Sequence, residues 1–226
     1  MAKIKFGMMM TDASGKLGGQ VFSKNRGGSY VRTKVTPLNP RTTAQSNVRG
    51  IFAAISSDWS SISESDRASF NGFVNDYART DVFGDLRNPS GKALFQRLNQ
   101  NLAISEQASI TVCPPPIAVP FSNTRSAVGD ASNTEFNVTT DGDTDGSQIV
   151  VWATPRLSQG TTFVKNKLRQ LQVAQGEPSA IIDIWDSYTA KFGAPQVGDN
   201  IFVGVRVINA QGQASPLEVV KAVINA

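Results

Sequence analysis

A chain of 226 residues and 24.2 kDa is long enough to bury one large core or two small ones. It has no histidine and a single cysteine, Cys113, which excludes Ser-His-Asp and Cys-His catalysis, the commonest zinc sites and any internal disulfide. Nine of the 22 cations but only one of the 18 anions fall in the first fifty residues, so a segment of net +8 is attached to a remainder of −4. Such a segment is drawn to anything negative, including the body of another copy of the chain.

The opening MAKIKFGMMMTD is interrupted too early to read as a signal peptide, and no apolar run approaches the length of a bilayer span. The chain is therefore expected to stay in the compartment where it is made, with no membrane partner. The residues around Met8-Met9-Met10 and Ser14-Gly15-Lys16-Leu17-Gly18 read as an extended or mobile lead-in. Gly15-Lys16 lacks the upstream glycine and the following Ser/Thr of a phosphate loop.

Residues 19–35 contain two runs of loose alternation, QVFSK and SYVRTKV, separated by Asn25-Arg26-Gly27-Gly28. Adjacent glycines supply the positive φ of a tight hairpin turn, so the segment reads as a two-stranded ribbon. A lone ribbon has too little apolar area to hold itself together in water and must lie against something. Pro37-Leu38-Asn39-Pro40 ends it. Thr42-Thr43-Ala44-Gln45 then has the form of a capping box, opening a helix whose buried stripe is expected at Ala44, Val48, Ile51, Phe52 and Ile55, with Trp59 in its exit turn. Ser63-Glu64-Ser65-Asp66 opens a second helix with Phe70, Phe73, Val74 and Tyr77 inward. Ser90 caps a third, with Leu94, Phe95, Leu98 and Leu102 inward.

Cys113-Pro114-Pro115-Pro116 marks a boundary, because consecutive prolines exclude both helix and central strand and stiffen a linker. Cys113 itself reads as a small buried apolar residue. Beyond it, strand-like runs at 135–140, 148–154, 162–173, 180–184, 200–209 and 218–224 alternate with turn chemistry. About seven short strands in this length are the pattern of an antiparallel sandwich of immunoglobulin or fibronectin type III shape, without the cysteine pair of antibody domains. The fold class expected is thus α+β and multidomain: a basic β-ribbon arm over 1–39, a helical unit over 40–112, a proline-rich linker over 113–120 and a β-sandwich over 121–226. Asp141-Gly142-Asp143-Thr144-Asp145-Gly146 copies the start of a calcium loop, but its twelfth position is Trp152 and it falls between strands, so it reads as a solvated hairpin loop. Trp152 and Trp185 read as core residues of strands. No metal or other cofactor is expected.

Lys24, Arg26, Tyr30, Arg32, Lys34 and Arg41 are the candidate partner-binding residues. Cations flanking an aromatic on a ribbon suit phosphates and a stacked base. Asn25, Ser29 and Thr33 suit strand addition to a neighbouring sheet equally well. An enzymatic reading, with the sandwich as a carbohydrate-binding module, needs a pair of carboxylates in a cleft, and Glu64, Asp66, Asp76, Asp81 and Asp85 offer no persuasive pair.

GGQVFSKNRGGSYVR, followed by PLNPRTTAQ, Arg49, Trp59, Arg67 and SGKALFQRLNQNL, resembles a family of mostly uncharacterised proteins of tailed-phage genomes and prophages. There a G-x-V-F/Y…R-x-G…Y-V-R ribbon precedes P-x-N-P and a helical unit, often with a β-sandwich after it. The motifs cover the first half of the chain, and the second half corresponds by fold only. The resemblance implies a virion structural protein of capsid, connector or tail, present in multiple copies and docked on other virion proteins, and it brings no catalytic residues. DNA binding by the arm and glycan binding by the sandwich are the alternatives.

Overall fold

The computed structural model describes residues 2–8, 10–119, 123–130, 132, 134–141, 146–177 and 180–225. The chain is α+β, with four helices and several antiparallel sheets among those residues. No helix among them is long and apolar enough to cross a membrane. Most of the calcium-like loop, 142–145, lies outside them.

The arm is a four-stranded sheet, not a two-stranded ribbon. Its strands are β1 (Ala2–Lys3), β2 (Gly15–Leu17), β3 (Gln20–Asn25) and β4 (Gly28–Thr33), in the order β1-β4-β3-β2. The lead-in around Gly15 is thus an edge strand, because Gly18 at φ +55 turns the chain back and brings Leu17 opposite Gln20. At the central hairpin Asn25 pairs with Gly28, and the Asn25 side chain accepts from the Gly27 amide at 2.8 Å. Of the two adjacent glycines only Gly28 has positive φ.

Three helices follow: α1 (Thr43–Ser61), α2 (Glu64–Gly72) and α3 (Gly91–Ile104). Each begins at the expected cap, with Thr42, Ser63 and Ser90 accepting from the amides of Gln45, Asp66 and Ala93. The return half of the first capping box is not made, since Gln45 Oε1 is buried without a hydrogen-bond partner. α2 stops at Gly72, sooner than its stripe suggests, and Phe73 and Tyr77 reach the core from successive turns. Between α2 and α3 lies a small hairpin that the sequence reading missed, β5 (Arg79–Thr80) with β6 (Leu86–Arg87). The helical core gathers Ile55, Phe70, Tyr77, Leu94, Phe95, Leu98 and Cys113. Trp59, inside α1 and not in its exit turn, packs at 6.0 and 5.3 Å from the Phe70 and Phe95 rings.

The second core lies between two four-stranded sheets. One contains β11 (Ile181–Asp183), β8 (Glu135–Asp141), β7 (Asn123–Asp130) and β14 (Val223–Asn225), in that order; the other contains β10 (Arg169–Gln175), β9 (Gln148–Ala153), β12 (Phe202–Ile208) and β13 (Glu218–Lys221). Alternate residues of β9 and β12, Ile149, Val151, Val203, Val205 and Val207, meet Phe136, Val138 and Ile182 of the facing sheet. The expected strand at 162–173 begins only at Arg169, because 161–168 runs in turns closed by bonds such as Lys167 N to Val164 O. The expected strand at 218–224 divides at buried Ala222, where the chain crosses from one sheet to the other and β14 pairs in parallel with β7. A fourth helix, α4 (Trp185–Phe192), stands where the sequence points to strand and loop; Tyr188 from it fills the core at 5.3 Å from the Phe136 ring. Trp185 therefore packs from a helix, and Trp152 is half-buried on the outer face of β9.

The proline run is not a free spacer. Tyr77 Oη donates to Pro114 O at 3.0 Å, while Gln213 Nε2 donates to Pro115 O and to Tyr77 Oη, both at 2.7 Å, and Gln213 Oε1 accepts from Ile117 N at 3.0 Å. Asn101 on α3 donates to Gly212 O at 2.8 Å. The turn between β12 and β13 is thereby stitched to the helical core.

Candidate assembly interface

No described residue from 2 to 39 is fully buried. Strand alternation divides the arm sheet into two faces. The register places Lys3, Ser23, Tyr30, Val21, Arg32 and Lys16 on one face, and Ala2, Phe22, Val31, Leu17 and Lys24 on the other.

The first face leans on the β5–β6 hairpin of the same chain. Lys3 pairs with Asp81 at 3.0 Å and Lys5 with Asp85 at 2.9 Å, and Lys5 Nζ also lies 5.4 Å from the Phe83 ring centre. Arg87 bridges the same two carboxylates at 3.3 and 3.4 Å. Asp81 accepts from Lys3, from the Phe83 and Asp85 amides and from Arg87. These donors, Lys3 foremost, hold its carboxyl well below the usual carboxylate range. Beside this anchor a cavity of about 650 Å³ is lined by Tyr30, Gly28, Val82 and Phe83. Two cations of the basic segment, Lys3 and Lys5, are therefore engaged within the chain.

The six candidate residues are not brought together as one patch. Tyr30 is half-buried toward the hairpin tip, with Arg32 on the same face, whereas Lys24 lies on the opposite face and pairs with Asp12 at 3.5 Å. Arg26 occupies the turn above Leu86 and Pro89. Lys34 follows β4 and is fixed only through its amide, which donates to Gly19 O. Arg41, at φ +51, stands exposed before α1. Arg26, Arg32, Lys34 and Arg41 have no ion-pair partner among the described residues.

The larger departure is on α1. Ile55 is its only buried residue, and Val48, Ile51 and Phe52, expected in the core, are exposed at 56, 37 and 49%. Ala44 is exposed too. α3 covers only the C-terminal half of α1, through Phe95 on Trp59 and Gln96 Nε2 on Ser56 Oγ. The apolar stripe thus runs out of the helical core toward the arm, where Leu38 and Val35 are also exposed.

The motif residues of the helical unit have structural roles. Arg49 donates to Asn39 Oδ1 at 3.1 Å and steadies the approach to α1. Arg67 donates to the carbonyls of Trp59 and Ser60, satisfying the last turn of that helix. At Gly91 a Cβ would meet Asn71 Oδ1 at 2.2 Å, so its absence sets how closely α2 and α3 pack. Cys113 is buried and its thiol is pushed up to about 11 by desolvation, against thiolate chemistry. No cluster of three metal-ligating side chains occurs among the described residues.

No family model, curated protein or solved structure matches the chain.

Proposed function

We propose that the chain is a structural subunit of a tailed-phage particle, docked on neighbouring virion proteins through its N-terminal arm. The observation that carries this reading is the set of uncovered apolar side chains on the arm, on the segment after it and on the first half of α1. Leu17, Val35, Leu38, Val48, Ile51 and Phe52 are all exposed. A four-stranded sheet without a buried residue lacks the second layer that such sheets need, and exposed apolar surface rimmed by cations is the character of a protein-binding site. The edges at β1 and β2 add unpaired backbone groups to which a neighbour's strand can join. The motif resemblance supplies the virion context.

The sandwich is read as a projecting spacer of fibronectin type III kind. Its first, second, fifth and eighth strands share one sheet and its third, fourth, sixth and seventh the other, the fourth taking the place beside the third that C′ occupies in variable-type domains. No reaction is assigned. Asp81 and Asp85, two of the candidate carboxylates, are held in ion pairs.

Deleting residues 2–36 tests the proposal. The truncated chain should remain folded, since both buried cores lie beyond it, and should fail to join particles. Normal incorporation of the truncated chain would refute arm docking. Arg26, Arg32 and Lys34, without ion-pair partners among the described residues, give the DNA-binding reading its footing. That reading requires the Arg26→Ala, Arg32→Ala double variant to lose DNA affinity and to show a flatter salt dependence. Arm docking requires the same variant to lose incorporation into DNA-free shells.

A further inference from the structure

Away from the arm, a cavity of about 550 Å³ opens where the helical core, the proline run and the 212–216 turn meet. Three guanidinium groups line it, from Arg79 on β5, Arg97 on α3 and Arg206 on β12, and no carboxylate among the described residues does. None of the three has an ion-pair partner among the described residues. Arg206 Nε is buried with no hydrogen-bond partner. Arg97 lies 5.2 Å over the ring of Tyr77, whose hydroxyl is fixed between Pro114 O and Gln213 Nε2, so the platform beneath that guanidinium is rigid.

Half-buried like charges without counter-ions are costly to a fold that does not use them. Desolvation lowers the proton affinity of both Arg97 and Arg206, and the charge of Arg79 lowers it further. An anion in the cleft reverses that balance, because each guanidinium presents N–H donors in the fork that matches tetrahedral or planar oxyanions. Part of the remaining wall is apolar, with Leu98, Ile117 and Val119, and Asn101, Gln213 and Ser215 add polar groups beside it; the volume is in the range of small-molecule sites, more than a bare phosphate fills.

We propose that this cleft is a binding site for a multiply charged oxyanion of the phosphate type, carried as free pyrophosphate or on a small organic body that rests against the apolar wall. The site is independent of the arm and of the docking role assigned to it.

Calorimetric titration of the full chain with sodium pyrophosphate, against sodium chloride of matched ionic strength, tests it. Saturable binding is expected, weakened at least tenfold in Arg97→Gln and in Arg206→Gln and less in exposed Arg79→Gln. It should be unchanged in the arm variant Arg26→Ala, Arg32→Ala. A nucleoside diphosphate in a second titration separates the sources: tighter binding than pyrophosphate shows that the organic body is read, and equal binding shows that the diphosphate alone is. In the absence of ligand, Arg206→Gln should melt no lower than the parent chain, because it removes a half-buried guanidinium that has no ion-pair partner among the described residues. The site is overturned by absence of saturable pyrophosphate binding, by wild-type affinity in all three cleft variants, by loss of binding in the arm variant instead, or by a lower melting point of unliganded Arg206→Gln.

Discussion

Phe22 and Phe136 occupy the same kind of position, an alternating site within an antiparallel strand, and meet opposite fates. Phe136 of β8 faces a second sheet and is completely buried against Tyr188. Phe22 of β3 shares a face with Val31 and Leu17 and is covered by nothing that fully buries it. Both strands follow the same period-2 pattern, and the sandwich adds only a second layer. The contrast teaches that alternation specifies a face to be covered and leaves open which molecule covers it.

The sharpest way to break the comparison is to truncate both rings. Phe136→Ala should cost about 3–5 kcal/mol in urea unfolding, the usual range for a buried aromatic. Phe22→Ala should cost no more than about 0.5 kcal/mol in the isolated chain and show its effect only in assembly. Comparable losses would mean that the arm has a core of its own. A smaller effect is expected at the junction. Gly212 has φ +76, and a Cβ there would lie 2.5 Å from the Leu98 carbonyl oxygen. Gly212→Ala should therefore destabilise by about 1–3 kcal/mol and separate the unfolding of the two cores, seen in a Trp152→Phe, Trp185→Phe background as divergence between Trp59 fluorescence and the β-sheet circular dichroism signal.

The smallest effect on global stability belongs to the arm anchor. Because the folded-state pKa of Asp81 is depressed, its contribution is fully present above the ordinary carboxylate value of about 3.9 and is lost as pH falls from there through the folded value. Amide exchange in β1 and β4 should thus be protected equally at neutral and mildly acidic pH and accelerate only in stronger acid. Asp81→Asn should accelerate the same amides at neutral pH while leaving the melting temperature almost unchanged. Acceleration spread through the sandwich would show that the arm is coupled to it.

These regions also differ in how much of them could be read from residues alone. Helix starts at Thr42, Ser63 and Ser90 were legible because a cap is a local hydrogen bond. Most strands of the sandwich were legible from alternation and turn residues, but β7 (Asn123–Asp130) is not among the runs that read as strand. α4 was not: its residues WDSYTAKF favour strand, its first turn has no side-chain cap, and burial of Tyr188 overrides propensity. The stripe on α1 was found correctly as a face and assigned wrongly to the core, since periodicity carries no information on cover. The anchor at Asp81 and the stitch at Gln213 join residues 78 and 136 positions apart through Lys3 and Tyr77; no local pattern announces such a pairing. Nor does any run of sequence show that Arg79, Arg97 and Arg206 line one cleft.

The crossing at Ala222 has a mechanical consequence. Because β14 runs parallel to β7, with Val223, Ile224 and Asn225 beside Val128, Gly129 and Asp130, tension applied between the start of β7 and the end of β14 loads these rungs in shear, all together, instead of peeling them one by one. A module built this way resists extension until the whole clamp slips. Pulling a single molecule by those two points should give one abrupt rupture, and removing residues 223–225 should lower the force at which it occurs.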